Sequence, residues 1–332
     1  MTSIMEFFTA LGKYDFLQSA LITAIMVGIM SGLIGSFIIL RGMSLMGDAI
    51  SHAVLPGVAV AYMLGINVMI GASVFGIIAA LLIGFVAANS KIKTDTSIGV
   101  VFSAFYALGF ILISMAESAT NLHHILFGNI LAVSDSDIVT TAVVLGIVIL
   151  FVVLFYKELL ITSFDNTFAK TYGLNTTMIH YALMLVLTLV TVSALQTVGI
   201  ILVVAMLITP AATAFLWTDR LETMLITSAS VGVFSAITGL YFSFTFNWAS
   251  GPAIVLVAAV LFAISFVFSP KQAFFSFSKK HEKRKPLLLL TLPRRLFDEK
   301  DSNQCCCCFN HGCRGFLVCK QPQYDSERFS KY

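Results

Sequence analysis

Charged residues are scarce in most of this 332-residue chain. Asp, Glu, Lys and Arg make up 11% of it and hydrophobic residues 58%, whereas soluble domains contain about 25% and 45–50% respectively. Apolar runs of about 20 residues, long enough to cross a bilayer as helices, fill the region from 16 to 270. The basic residues within that region are few: Arg41, Lys91, Lys93, Lys157, Lys170 and Arg220. This composition excludes a soluble globular protein and predicts an all-α, polytopic membrane protein.

Cysteine and two catalytic motifs are absent from this hydrophobic body. All six cysteines lie between residues 305 and 319, which excludes a disulfide framework or cysteine chemistry elsewhere. The chain has no G-x-x-x-x-G-K-[ST] sequence, so we expect no ATP hydrolysis through a P-loop. It also has no H-E-x-x-H sequence, the basis of an intramembrane zinc protease. We therefore predict a protein that is not an enzyme and that holds no cofactor of its own.

The apolar runs predict nine membrane spans, or eight if one weak segment is re-entrant. The first run is longer than the 7–15-residue apolar region of a signal peptide, so we interpret it as a retained span. The predicted spans are 16–40, 43–64, 67–88, 97–116, 138–156, 179–196, 198–217, 222–246 and 252–269.

The distribution of Lys and Arg predicts the orientation. The six basic residues of the body fall in alternate connections, and the other connections contain none. The positive-inside rule then places the N-terminus outside and the C-terminus in the cytoplasm, with only Lys13 disagreeing. Residues 1–270 hold 7 Lys/Arg and 11 Asp/Glu, whereas residues 271–332 hold 13 and 6. A basic tail is expected on the cytoplasmic side of a plasma-membrane protein, so no nucleic-acid partner is needed to explain it.

Four regions follow from composition. Residues 1–15 form a short N-terminal segment, 16–270 the transmembrane domain, and 271–285 a basic cytoplasmic segment. Residues 286–332 contain the cysteines and have no sustained helical period, so we expect a disordered tail.

Asp48 and His52, in "SLMGDAISHAVLPG" (44–57), are the most unusual residues of the predicted spans. Four residues apart, they share one face of a helix, at depths of ~8 Å and ~14 Å from its start near Met43. Ionisable groups at such depth are costly and face a bundle interior or a watery pathway. Together they make a site acceptable to Mn²⁺, Fe²⁺ or Zn²⁺. The alternatives are a hydrogen bond that only fixes helix packing, or the acid and base of a membrane enzyme.

Further candidate residues lie near proline, histidine and the longer loops. Pro56 removes a backbone hydrogen bond just beyond His52, and Pro210 is expected to break the seventh span near its middle, so both are candidate hinges. His124, beside His123 in the predicted external connection 117–137, is a weaker candidate for contact with an arriving ion, and solvation alone also explains it. In the internal connection, Asp165 can cap a short helix that Gly173 then ends.

Four segments carry a resemblance to a known family. "LRGMSLMGDAISHAVLPGVAVAYMLG" (40–65) is similar to the signature region of the manganese/zinc/iron ABC-transporter permeases. The similarity continues in three further segments: "LHHILFGNILAV" (122–133), "FDNTFAKTYGLN" (164–175) and "TVGIILVVAMLITPAATAFL" (197–216). The amino-acid sequence of the first segment most resembles that of the manganese permeases.

The resemblance implies a type II-like importer. In it two permease subunits, here a homodimer, surround a central path, cytoplasmic ATP-binding subunits drive transport, and an external lipoprotein delivers the metal. Carried onto this sequence, Asp48 and His52 match the family's metal-coordinating pair. Asp165, Ala169 and Gly173 match its cytoplasmic coupling segment. The tail from Pro286 onward departs from the family pattern.

We therefore predict the permease subunit of an ATP-driven importer that moves Mn²⁺ by alternating access. The alternatives are a zinc or iron permease of the same family and a stand-alone secondary metal transporter. The ligand types do not explain selectivity for Mn²⁺, because sites with nitrogen and oxygen ligands intrinsically bind Zn²⁺ more tightly. Selectivity must then come from geometry or from the delivery protein.

Overall fold

The structure, a computed structural model, describes residues 9, 11–115, 130 and 133–269. The described residues form helices and no β-strand. The helices are α1 (Asp15–Leu40), α2 (Met46–Ala53), α3 (Leu55–Leu64), α4 (Val68–Asn89), α5 (Thr94–Met115), α6 (Asp135–Leu154), α7 (Tyr156–Phe164), α8 (Asn166–Thr171), α9 (Thr176–Val198), α10 (Ile200–Trp217), α11 (Leu221–Phe246) and α12 (Ser250–Phe268).

Nine segments of the described part are long and apolar enough to cross a membrane, with α2 and α3 together forming the second. The predicted spans are confirmed within a few residues. Four helices, α2, α5, α6 and α9, start three residues from the predicted position, and α6 begins at Asp135 rather than at 138. Ser134 and Asp137 form a capping box there, and carboxylates in a first turn are stabilised by the helix dipole. Polar residues that resemble a loop in composition therefore belong to the helix.

The helices form two groups, which are connected through α2, α6 and α9. In one group α1, α10, α11 and α12 pack together; in the other, α4, α5 and α9 surround α2 and α3. Helix α2 contacts α4, α5 and α9 on one side and α10 on the other. The element that carries Asp48 and His52 therefore lies where the two groups meet.

Close helix approach depends on small residues, as the segment "GIMSGLIGS" (28–36) indicates. A Cβ atom on Gly28 of α1 would lie 2.9 Å from the carbonyl carbon of Gly232 on α11, too close to be tolerated. One turn further along α1, the Ser228 hydroxyl donates a 2.9 Å hydrogen bond to the carbonyl of Gly32. Such backbone-to-backbone packing is the main source of helix association in lipid.

A glycine turn joins α1 to α2, the helix that carries Asp48 and His52. Gly42 has φ +66°, and the Met43 N–H donates to the Ile38 carbonyl at 3.0 Å, which is the Schellman pattern of a helix end. Helix α2 then starts four residues later, with six of its eight residues buried. The turn therefore fixes both the depth and the facing side of the residues that follow it.

Candidate metal site

Asp48 and His52 lie on one face of α2, one turn apart. The distance from His52 Nε2 to Asp48 Oδ1 is 3.5 Å. That is longer than a normal hydrogen bond of 2.7–3.2 Å, so it contributes little to fixing the helix. Both groups remain available to a third atom placed between them.

The surroundings of α2 are asymmetric. The opposite face is fully packed, with Met46, Ile50 and Ala53 all at 0% exposure. In contrast, the side chain of Asp48 is 44% exposed and that of His52 26%. The pair is therefore directed to the outside of this single chain, at a depth where lipid contact would be costly.

Two aromatic side chains of α5 hold the imidazole from one side. The ring centroids of Phe102 and Tyr106 lie 5.6 Å and 5.4 Å from that of His52, both in edge-to-face geometry. The two aromatic rings also stack on each other at 5.8 Å. His52 Nδ1 is buried and has no hydrogen-bond partner among the described residues, so Nε2, directed at Asp48, is the nitrogen available as a ligand.

Sequence reasoning did not identify Phe102 and Tyr106. The one available signal was a tyrosine four residues after a phenylalanine inside an apolar span, because a Tyr hydroxyl at membrane depth needs a polar environment. That spacing alone does not indicate which helix the pair faces.

One chain supplies only part of a metal site. The described residues contain no cluster of three or more His, Cys, Asp or Glu side chains able to hold a metal ion. A transition metal usually takes four or more ligands. Asp48 and His52 of one chain therefore need additional ligands, from a second chain or from water.

The helix is interrupted directly beyond His52, as Pro56 predicts. Helix α2 ends at Ala53 and α3 begins at Leu55, with Pro56 in its first turn. Proline has no N–H to offer the carbonyl of His52. The interruption therefore lies beside the candidate ligand.

The expected break at Pro210 is wrong. Helix α10 runs without interruption from Ile200 to Trp217. Packing against α1, α11 and α12 surrounds it on several sides, and neighbouring helices commonly support a proline within a membrane helix. His124 and the cysteine-containing tail lie outside the described residues.

The predicted coupling segment has the expected local structure. Asp165 Oδ1 accepts hydrogen bonds from the N–H groups of Thr167 and Phe168 at 2.9 and 3.0 Å, which caps α8. Gly173, at φ +85°, ends the turn, while Ala169 is fully buried. The capping and termination predicted from sequence are thus confirmed.

The outer surface of the same segment is aromatic. Phe164, Phe168 and Tyr172, spaced four residues apart, are 61%, 55% and 72% exposed. The rings of Phe168 and Tyr172 stack with centroids 6.2 Å apart. Exposed aromatic side chains in a connection between spans mark an interaction surface, for another protein or for the membrane boundary.

Comparisons with known proteins agree with these features. The model of the ABC 3 transport family matches residues 13–269. The manganese transport system membrane protein MntC of Listeria monocytogenes is 65% identical over 84% of this chain and 99% of its own length. The manganese import system permease protein ScaB of Streptococcus gordonii is 54% identical over 82% of this chain and 98% of its own.

A solved structure supports the fold as well. The structure of PsaBC from Streptococcus pneumoniae in complex with Fab matches with a TM-score of 0.75 and 54% identity, covering 83% of this chain and 100% of that one. The family model covers more than half of the chain and includes every described span. This chain belongs to the ABC 3 transport family.

Proposed function

We propose that this chain is the permease subunit of an ATP-driven importer of Mn²⁺. The observation that carries the proposal is the pairing of Asp48 with His52 on the partly exposed face of α2. A carboxylate and an imidazole at membrane depth must face protein or water. A transport pathway satisfies both requirements.

The pathway is lined by two copies of the chain. A second copy related by two-fold symmetry would bring another Asp48 and His52 to the same place, which makes four protein ligands. The exposed position of the pair and the outward placement of α5 support this arrangement. Metal held between two chains is released when the chains move apart, as alternating access requires.

The choice of Mn²⁺ rests on the relatives, whose names describe manganese transport. An N/O ligand set binds Zn²⁺ more tightly than Mn²⁺. Discrimination therefore comes from an external binding lipoprotein that delivers the ion, and from the geometry of the site.

The energy comes from an ATP-binding partner that docks on the segment from Phe164 to Tyr172. Its exposed aromatic side chains supply an apolar contact, and the capped helix α8 holds them in a fixed arrangement. Asp165, Ala169 and Gly173 shape this segment. The hydrogen bond from Arg41 to Thr162 connects the end of α1 to α7. Motion of the partner therefore reaches α2 through α7 and then through the end of α1.

The basic connections lie in the cytoplasm, with the N-terminus outside. Four basic residues lie in connections at the same end of the spans: Arg41, Lys91, Lys157 and Arg220. The positive-inside rule places that end in the cytoplasm. Single cysteines placed at position 67 or 220, in a chain whose tail cysteines are replaced by serine, test the orientation. An impermeant thiol reagent should label the first in intact cells and spare the second.

Radiotracer manganese uptake tests the function. In cells that express the chain with its ATP-binding and delivery partners, Asp48→Ala or His52→Ala should lower the manganese uptake rate at least about tenfold. Asp95→Ala removes an exposed carboxylate from α5 and should leave uptake unchanged. Normal transport by both site variants would refute the metal site.

Two further results would distinguish the alternative functions from the proposed one. Preferential uptake of zinc or iron over manganese would contradict the metal assignment and leave the site intact. Uptake that persists without the ATP-binding subunit and follows a proton or sodium gradient would indicate a secondary transporter. Equilibrium dialysis of the purified complex should find one Mn²⁺ for every two permease chains.

A further inference from the structure

A polar cavity of about 350 Å³ lies at the end of the bundle where α1 stops and α5 and α9 begin. It is separate from the Asp48–His52 pair, which lies further along α2. Its polar lining consists of Arg41, Thr94, Thr162, Ser163, Thr176 and His180. No carboxylate is among the residues that line it. The Thr162 hydroxyl already donates to the carbonyl of Glu158 at 2.7 Å, so the donors available to a ligand belong to the other polar residues.

Arg41 is held in place by neutral groups alone. Its Nη2 donates to Thr162 Oγ1 at 2.7 Å and its Nε donates to Ser163 Oγ at 3.3 Å. The third nitrogen, Nη1, has no hydrogen bond to a described residue, and the described residues offer Arg41 no salt bridge. Burial lowers the pKa of Arg41 from its ordinary value to about 10, so the cation loses solvation without gaining a counter-ion.

Two helix starts add positive potential to the same cavity. Thr94 is the first residue of α5 and Thr176 the first of α9, and helix N-termini carry partial positive charge. Glu158, one turn before Thr162, and the acidic residues Asp165 and Asp95 of the adjoining segments do not line the cavity. Asp165 accepts hydrogen bonds from the backbone of α8, and Asp95 is exposed and does not line the cavity.

This donor set indicates the chemistry of a ligand. A guanidinium with free N–H groups, hydroxyls and an imidazole matches the oxygens of a phosphate, which arginine binds with a planar fork. The volume is within the range of small-ligand sites. Leu40, Met43 and Phe164 also line the cavity, and they provide an apolar edge beside the phosphate position at the membrane boundary.

We propose that this cavity is a phosphate-binding site, with Arg41 as the principal ligand and His180 and the hydroxyls of Thr94 and Thr176 as further donors. The phosphate is either the headgroup of an anionic phospholipid or free inorganic phosphate. A bound phosphate would join the ends of α1, α5, α7 and α9. The site would then stabilise the region between the coupling segment and α2.

Two binding experiments on the purified full-length chain distinguish the sources. In the first, equilibrium dialysis measures radiolabelled inorganic phosphate in detergent at constant ionic strength. In the second, native mass spectrometry counts phosphatidylglycerol retained after transfer from nanodiscs that also contain phosphatidylcholine. Saturable binding in the first identifies free phosphate, and selective retention in the second identifies the lipid headgroup.

Arg41→Gln should weaken whichever binding is seen at least tenfold. Arg220→Gln is the matched control, because it removes an exposed arginine that does not line the cavity. If Arg41→Gln does not yield folded protein, the double variant Thr176→Val with His180→Phe, which removes two other donors, should give the same loss. Absence of binding in both arms, or equal binding by the cavity variants and the Arg220 control, would overturn the proposal.

Discussion

The ring of Tyr106 stands at 89° to the ring of His52, with 5.4 Å between the two centroids. Phe102 approaches the same imidazole at 65° and 5.6 Å. His52 Nδ1 has no hydrogen-bond partner among the described residues, so aromatic packing rather than a hydrogen bond positions this imidazole. These contacts therefore determine where Nε2 is directed.

Removing either ring should reduce manganese uptake while leaving the ligands present. Aromatic pairs contribute about 0.5–1.5 kcal/mol beyond burial, so Tyr106→Ala or Phe102→Ala should lower the uptake rate roughly 2–10-fold. Tyr106→Phe keeps the ring and should transport normally. Phe110→Ala, on the same helix and 67% exposed, provides the control in the radiotracer assay. A loss with Tyr106→Phe equal to that with Tyr106→Ala would assign the effect to the hydroxyl instead.

The sequence was sufficient for the spans, because lipid imposes a simple rule on helix length and composition. The helical spacing also predicted that Asp48 and His52 share one helix face, which the structure confirms, while their role as metal ligands stays a prediction. The aromatic support and the cavity around Arg41 could not be predicted. Each brings together residues that are distant in sequence, such as Arg41 and Thr162, and depends on how the helices pack. Pro56 and Pro210 show the same limit: only the first coincides with an interruption.

Gly35 should tolerate no side chain. A Cβ atom there would overlap the carbonyl oxygen of Leu207 on α10, and overpacking of this kind costs about 1–3 kcal/mol. Gly35→Ala should therefore lower the thermal unfolding midpoint in detergent. Gly146→Ala, in α6, meets no atom within 4 Å and should be neutral or slightly stabilising. Equal midpoints for the two variants would show that α1 and α10 can separate without cost.

Gly173 should be required for its backbone conformation alone. Its φ is +85°, and a Cβ atom would meet nothing within 4 Å. A left-handed residue other than glycine costs about 1–2 kcal/mol, and asparagine is the best tolerated. Gly173→Ala should weaken binding of the ATP-binding subunit about 5–30-fold in a pull-down titration, and Gly173→Asn should weaken it less. The same loss with both substitutions would point to a contact at this position rather than to strain.

Pro56 should act as the hinge beside the metal site, and Pro210 should not. Pro56→Ala supplies an N–H that can donate to the carbonyl of His52. The new hydrogen bond would join α2 to α3, and it would remove an interruption that costs about 3 kcal/mol in an ordinary helix. The variant should be more stable to heat, yet take up manganese at about half the rate or less, because the joined helix bends less easily.

Pro210→Ala is the matched control for this hinge. Helix α10 is already continuous through Pro210, so the added N–H should leave the uptake rate unchanged. Paired measurements of unfolding midpoint and radiotracer uptake on the two variants decide the matter. Faster or unchanged transport by Pro56→Ala would mean that α2 and α3 move as one body and that the flexible element lies elsewhere in the bundle.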